Sequence, residues 1–206
     1  RDAKRSALHD RLAAAGAYFH DVSGWESPSW YAPEDEKAEV ETLSFGRMNW
    51  WRYWAAEHKA CREAVILMDM SFMSKFLVQG RDAGTFLDWL SANRVNGDVG
   101  MITYTQWLNN DGSLEADLTV IKLEADKFMV VVTDTMHRHA ETWMQHNVPE
   151  NSHVVVTDVT SGTTQINVQG PNSRALLHAI SSADLSNEAF PFRAARRSRQ
   201  YGQTES

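Results

Sequence analysis

The 206-residue sequence predicts an α+β fold, an antiparallel sheet with flanking helices. Three observations predict it. Residues 101–109 and 114–123 read as two strands joined through Asn110-Asp111-Gly112, a hairpin signal. The helical stretches stand apart from the strands instead of alternating with them, which disfavours a doubly wound parallel sheet. The chain is 43% hydrophobic with a single cysteine, so a buried core must hold it rather than disulfides.

Residues 1–20 read as a short amphipathic helix, with Leu8, Leu12 and Ala15 on one face and Gly16 as a stop. Residues 21–49 carry Gly24, Pro28, Pro33 and Gly46 and read as irregular, with Trp25 and Trp30 exposed. The acidic run from Glu34 to Glu41 reads as a solvated face. A helix is expected from about Trp50 to Ala64, with Trp54, Cys61 and Val65 on one stripe. Val65–Met68 follows, then a strand at Phe72–Gln79 and a helix at Arg81–Asn93 opened by Gly80. After the hairpin come a strand at Phe128–Thr133, a helix at Thr135–His146, and strands at His153–Val159 and Thr163–Gln169. A last helix starts after Gly170-Pro171, capped by Asn172 or Ser173. Residues 193–206 hold four arginines and one glutamate, have no apolar period and read as a disordered basic tail.

The net charge of -7 argues against nonspecific nucleic-acid binding, which needs a basic face to displace counterions. No run of 18 apolar residues is present, so no membrane span is expected, and the first residues lack an apolar leader. One cysteine fits a reducing compartment, the bacterial cytoplasm or the mitochondrial matrix. There is no G-x-G-x-x-G, no Walker loop and no G-x-S-x-G elbow. His137 and His139 lie two apart on a helix and cannot face one ion, so no metal site is expected and surface histidines are. Cys61 reads as a small core residue.

The hairpin carries the clearest chemistry. A two-residue Asp111-Gly112 turn, read as type I′, sets Gln106 opposite Asp117 and Tyr104 opposite Thr119. Tyr104, Gln106, Asp117 and Thr119 then share one face, and Ala116, Leu118 and Val120 the other. A carboxylate beside a phenol and an amide can receive a planar heterocycle with N–H donors. The alternative is a solvent-facing polar strand face.

Several segments resemble the glycine-cleavage T-protein (aminomethyltransferase) folate-binding domain. They are Glu57-His58-Lys59-Ala60-Cys61-Arg62, Met68-Asp69-Met70-Ser71, Val78-Gln79-Gly80-Arg81-Asp82-Ala83, Gly100–Leu108 with Glu115–Val120, and Val168–Leu177. Gly24-Trp25-Glu26-Ser27-Pro28-Ser29-Trp30-Tyr31 and Phe45–Trp51 resemble the connecting segment of dimethylglycine and sarcosine dehydrogenases. In that family an FAD oxidoreductase domain precedes the folate domain. The resemblance implies a connector at 1–54, the first portion of an incomplete folate domain at 55–192, and an aberrant tail at 193–206.

The implied activity is oxidation of a small N-methyl amine on FAD in the absent domain. Tetrahydrofolate would then capture the one-carbon unit as 5,10-methylenetetrahydrofolate. Asp117 matches the folate-binding aspartate that activates the nitrogen, and Tyr104 matches the aromatic beside the pterin. Two other readings remain open: a noncatalytic relative such as the regulatory subunit of pyruvate dehydrogenase phosphatase, and a stand-alone aminomethyltransferase. The connector implies packing against the flavin domain, with some of its five tryptophans exposed without it. The resemblance also implies a fragment that is poorly active or inactive alone.

Overall fold

A computed structural model describes residues 3–32 and 41–197. The chain divides into two compact units, Arg1–Phe72 with Thr164–Ile180, and Met73–Thr163 with Ser181–Ser206.

In the first unit, α1 (His9–Ala14) stops at Gly16, whose φ of 83° is the left-handed conformation of a helix C-terminus. β1 (Ala17–Val22) and β2 (Trp25–Tyr31) then form an antiparallel hairpin. Ser23 and Gly24 connect them, both at positive φ, 52° and 85°. That is the two-residue turn whose twist matches the strands it joins. α2 (Trp51–Glu63) packs on β2, and β3 (Ile66–Asp69) pairs with β9 (Ile166–Gln169) ahead of α5 (Ser173–Ile180).

The second unit is a five-stranded, fully antiparallel sheet in the order β5-β6-β7-β4-β8. Its strands are β4 (Ser74–Gln79), β5 (Ile102–Leu108), β6 (Leu114–Glu124), β7 (Lys127–Val132) and β8 (Val155–Asp158). Alternate side chains fill one face: Phe76, Val78, Leu118, Val120, Phe128 and Val130 are all at most 3% exposed. Phe86 and Leu87 of α3 (Ala83–Leu90) and Ala140 and Met144 of α4 (His137–Asn147) belong to the same core. Burying each large apolar side chain contributes roughly 1.5–3 kcal/mol.

The two units repeat one motif. Asp69-Met70-Ser71 and Asp158-Val159-Thr160 each end an edge strand, with the aspartate accepting the N–H two residues on. The Ser71 hydroxyl oxygen then accepts the Gln165 N–H, and that of Thr160 accepts the Lys75 N–H. Val78-Gln79-Gly80 and Val168-Gln169-Gly170 each end the paired strand and turn into a helix. The Asp82 N–H donates to the His153 carbonyl, and the Asn172 N–H to the Ala64 carbonyl. The pairing is exchanged: β3 of the first copy pairs with β9 of the second, and β8 of the second with β4 of the first. This internal repeat is written in the sequence, as D-x-S/T followed by V-Q-G-x-D/N, at a separation too wide for local periodicity to register.

The expected elements from residue 50 to 180 are present within a few residues of their expected ends. The front differs. Residues 17–20 are strand and not helix, because Gly16 reverses the chain and Tyr18 pairs with Trp30. Residues 25–31 are strand and not irregular. Trp25 and Trp30 are buried, at 8% and 2% exposure. Trp30 lies stacked between Tyr18 and Tyr53, ring centroids 5.2 and 5.3 Å away. Trp51 alone of the five front indoles reaches 36% exposure. Glu41 is not solvated, since it accepts from the Trp50 indole at 2.8 Å and bonds His20 at 2.9 Å; Glu34–Glu39 lie outside the described residues. The expected boundary at 54/55 falls inside α2. The start of the basic tail is ordered by backbone bonds, Ala195 N–H to Gly100 and Ile102 N–H to the Arg193 carbonyl; residues 198–206 lie outside the described residues.

Candidate functional site

β5 and β6 place the candidate side chains. Gln106 lies opposite Asp117 and Tyr104 opposite Thr119, the expected register. The turn that sets it differs from the expected type I′. Only Gly112 has positive φ, 78°, and its N–H donates to the Asn109 carbonyl. This is a type I turn with glycine in the left-handed position, and the extra residue is absorbed by a bulge where Leu108 faces Leu114. Turn and bulge cancel, so the strand register survives.

The Tyr104 hydroxyl donates to Asp117 Oδ2 at 2.8 Å, and Gln106 Nε2 reaches Asp117 Oδ1 at 3.5 Å. The hydrogen bond to Asp117 raises the Tyr104 pKa, with smaller effects from desolvation and the carboxylate charge, so the phenol stays protonated and donating at neutral pH. Tyr104 is 53% exposed, leaving its ring face open. Each carboxylate oxygen keeps lone-pair capacity for a further donor. The same sheet face continues into half-buried Ile121, Met129, Val131 and Leu77, which are apolar. It is therefore not a uniformly polar strand face. A polar cluster bordering an apolar strip suits a flat ligand with N–H groups at one end.

His139 and His146 are surface residues, as expected, but His137 is half-buried and is not. His137 Nδ1 bonds Ser74 Oγ at 2.9 Å and its Nε2 lies 3.1 Å from Asp158. His139 Nε2 lies 2.8 Å from Glu115. Ser74, at 1% exposure, is unreachable as a nucleophile, so this serine–histidine–aspartate chain braces β4, β8 and α4. Such a brace requires groups 63 and 21 residues from His137, a pattern no local spacing reveals. Cys61 is a half-buried free thiol on a cavity wall and not a core residue.

Burial raises the Asp158 pKa, but the Thr160 hydroxyl and N–H, and then His137, outweigh it and leave it below the usual aspartate value. A depressed carboxylate contributes stability above its unfolded pKa and loses it as pH falls through the folded value. Asp158→Asn is therefore expected to flatten the acid limb of the stability curve from the ordinary aspartate range downwards. The side chain is 38% exposed, so the effect is expected below about 1 kcal/mol. Urea titrations across acidic pH test this; an unchanged acid limb would contradict it.

Residues 8–204 match the model of the GCVT N-terminal domain. The chain is 35% identical over 189 residues to 4-methylaminobutanoate oxidase (formaldehyde-forming) of Paenarthrobacter nicotinovorans, covering 92% of this chain and 23% of that protein. It is 31% identical to the mitochondrial pyruvate dehydrogenase phosphatase regulatory subunit of Mus musculus, over 93% of this chain and 22% of that one. It is 30% identical to mitochondrial sarcosine dehydrogenase of Homo sapiens, over 93% and 25%. The chain thus spans about a quarter of the length of these relatives. Among solved structures, the glycine cleavage system aminomethyltransferase T of Bartonella henselae superposes with a TM-score of 0.70 at 21% identity, over 86% of this chain and 44% of that one, a likeness of fold. With its antiparallel α+β sheet and a match running from residue 8 to residue 204, this chain belongs to the GCVT N-terminal domain family.

Proposed function

We propose that this chain acts as part of the folate domain of an N-methyl-amine demethylating flavoenzyme, with Asp117 and Tyr104 holding tetrahydrofolate. The Tyr104–Asp117 pair on an open sheet face carries the reading. Asp117 would accept N–H donors of the ligand's heterocycle and hold a proton from its reactive nitrogen. Tyr104 would keep that carboxylate oriented and present its ring to the flat ligand. Bound tetrahydrofolate would supply the nitrogen that captures the one-carbon unit. An upstream flavin domain would oxidise the amine. These residues carry no dinucleotide-binding loop, so no FAD contact is assigned to them. Relatives with mitochondrial and with bacterial names both support the matrix or the bacterial cytoplasm as its compartment. No helix among the described residues is long and apolar enough to cross a membrane.

Calorimetric titration of tetrahydrofolate into the 206-residue chain tests the site. Asp117→Ala is expected to weaken binding roughly ten- to hundredfold, the loss of a charge-assisted hydrogen bond. Equal affinity in the variant would refute the assignment. The 31% identity to a phosphatase regulatory subunit supports a second, noncatalytic reading. Failure of the unmutated chain to bind tetrahydrofolate would favour it.

A further inference from the structure

The first unit carries a half-open cavity of about 550 Å³ lined from β2, α2, β3 and β9, within the range of small-molecule sites. Its wall has an unusual charge balance. Two carboxylates line it, Glu57 and Asp69, with His58 as the one basic side chain beside Glu57, and no lysine or arginine does. Asp69 is engaged by the hydroxyls of Ser6 and Ser71. Glu57 accepts the Tyr31 N–H through Oε1 at 3.1 Å, and its Oε2 has no hydrogen-bond partner among the described residues. The field of this pair is felt nearby. Burial, and then the charges of Glu57 and Asp69, push the Tyr31 phenol up to about 12.

The rest of the wall mixes polar side chains such as Ser29 and Gln169 with aromatic and sulfur-bearing ones, Trp54, Phe72, Met68 and Met70. Hard metal ions favour clustered carboxylates, and among the described residues no three histidine, cysteine or carboxylate side chains come together to hold an ion. A neutral apolar ligand would cover the half-buried Glu57 carboxylate and leave its Oε2 with nothing to accept from. An organic cation satisfies both parts, its charge near the carboxylate and its body on ring faces and thioethers.

We propose that this cavity binds a small organic cation, its ammonium head at Glu57 and its apolar body against Trp54 and Phe72. The residues are separate from Tyr104 and Asp117, so the site stands independently of the folate reading.

The test is calorimetric titration of the 206-residue chain with choline and with its neutral isostere 3,3-dimethylbutan-1-ol. At about pH 8, where Glu57 is ionised, choline is expected to bind at least roughly tenfold more tightly. Burial holds the Glu57 pKa above its ordinary value. Choline affinity should therefore fall as pH drops through that raised value, because the protonated carboxyl carries no charge. Glu57→Gln keeps an oxygen for the Tyr31 N–H and should abolish the preference. Trp54→Leu should weaken choline while leaving the carboxylate in place, with near-ultraviolet circular dichroism checking that both variants fold. Equal affinity for the two probes, no binding of choline, or an unchanged preference in Glu57→Gln would each overturn the proposal.

Discussion

Replacing Gly80 with alanine is expected to destabilise the second unit by about 3–4 kcal/mol, enough to remove a large share of a domain's stability. Gly80 ends β4 at φ 129° and turns the chain into α3. A Cβ there would lie 1.9 Å from the His153 carbonyl oxygen. That oxygen accepts the Asp82 N–H, so it cannot retreat without breaking the turn. Gly112 provides the control. It too has positive φ, 78°, but a Cβ added there meets nothing within 4 Å. Gly112→Ala should therefore cost only the backbone term, about 1 kcal/mol. Urea denaturation of both variants separates the steric from the conformational penalty. Equal losses at the two sites would show that the close approach at Gly80 is not rigid. Gly170, whose Cβ would lie 2.4 Å from the Ala64 carbonyl oxygen, occupies the same place in the other copy of the motif.

Trp30→Ala is expected to cost about 3–5 kcal/mol, the range for deleting a large buried aromatic. Trp30 is 2% exposed and ties β1 to α2 through its stacks on Tyr18 and Tyr53. Its removal takes away transfer energy and leaves a space between two rings that cannot close without moving a strand or a helix. Trp89, 67% exposed on α3, is the comparison, and Trp89→Ala should change stability by less than about 0.5 kcal/mol. Chemical denaturation distinguishes them. A Trp30 loss as small as that of Trp89 would mean that the hairpin is not part of the cooperative unit.

The tryptophan pattern shows how far sequence reading reaches. Five of eight indoles in the first 54 residues flag that segment as structurally important. Their proline- and glycine-rich surroundings point instead to irregular, exposed chain. The structure resolves the conflict because Pro28 lies at the β1–β2 irregularity, where the register shifts between Tyr18 and Phe19. A proline is tolerated there since it need not donate a ladder hydrogen bond. The candidate site was more legible. Alternation along β5 and β6 put Tyr104, Gln106 and Asp117 on one face, and the observed register agrees. The turn is not the type I′ that Asp111-Gly112 suggests, yet the bulge restores the pairing. What was missed at Ser74, His137 and Asp158 depends on three elements meeting, and nothing in their spacing foretells it.

Helix and strand periods, the hairpin register and the α+β class reside in neighbouring residues, because side-chain direction repeats every few positions along a helix or strand. Partner choice does not. That β3 pairs with β9 and β8 with β4 follows from contacts between segments about a hundred and about eighty residues apart in sequence. The burial of Trp30 and the charge balance around Glu57 arise in the same way. Burial and electrostatic field depend on everything that surrounds a group, and only the folded chain decides which residues those are.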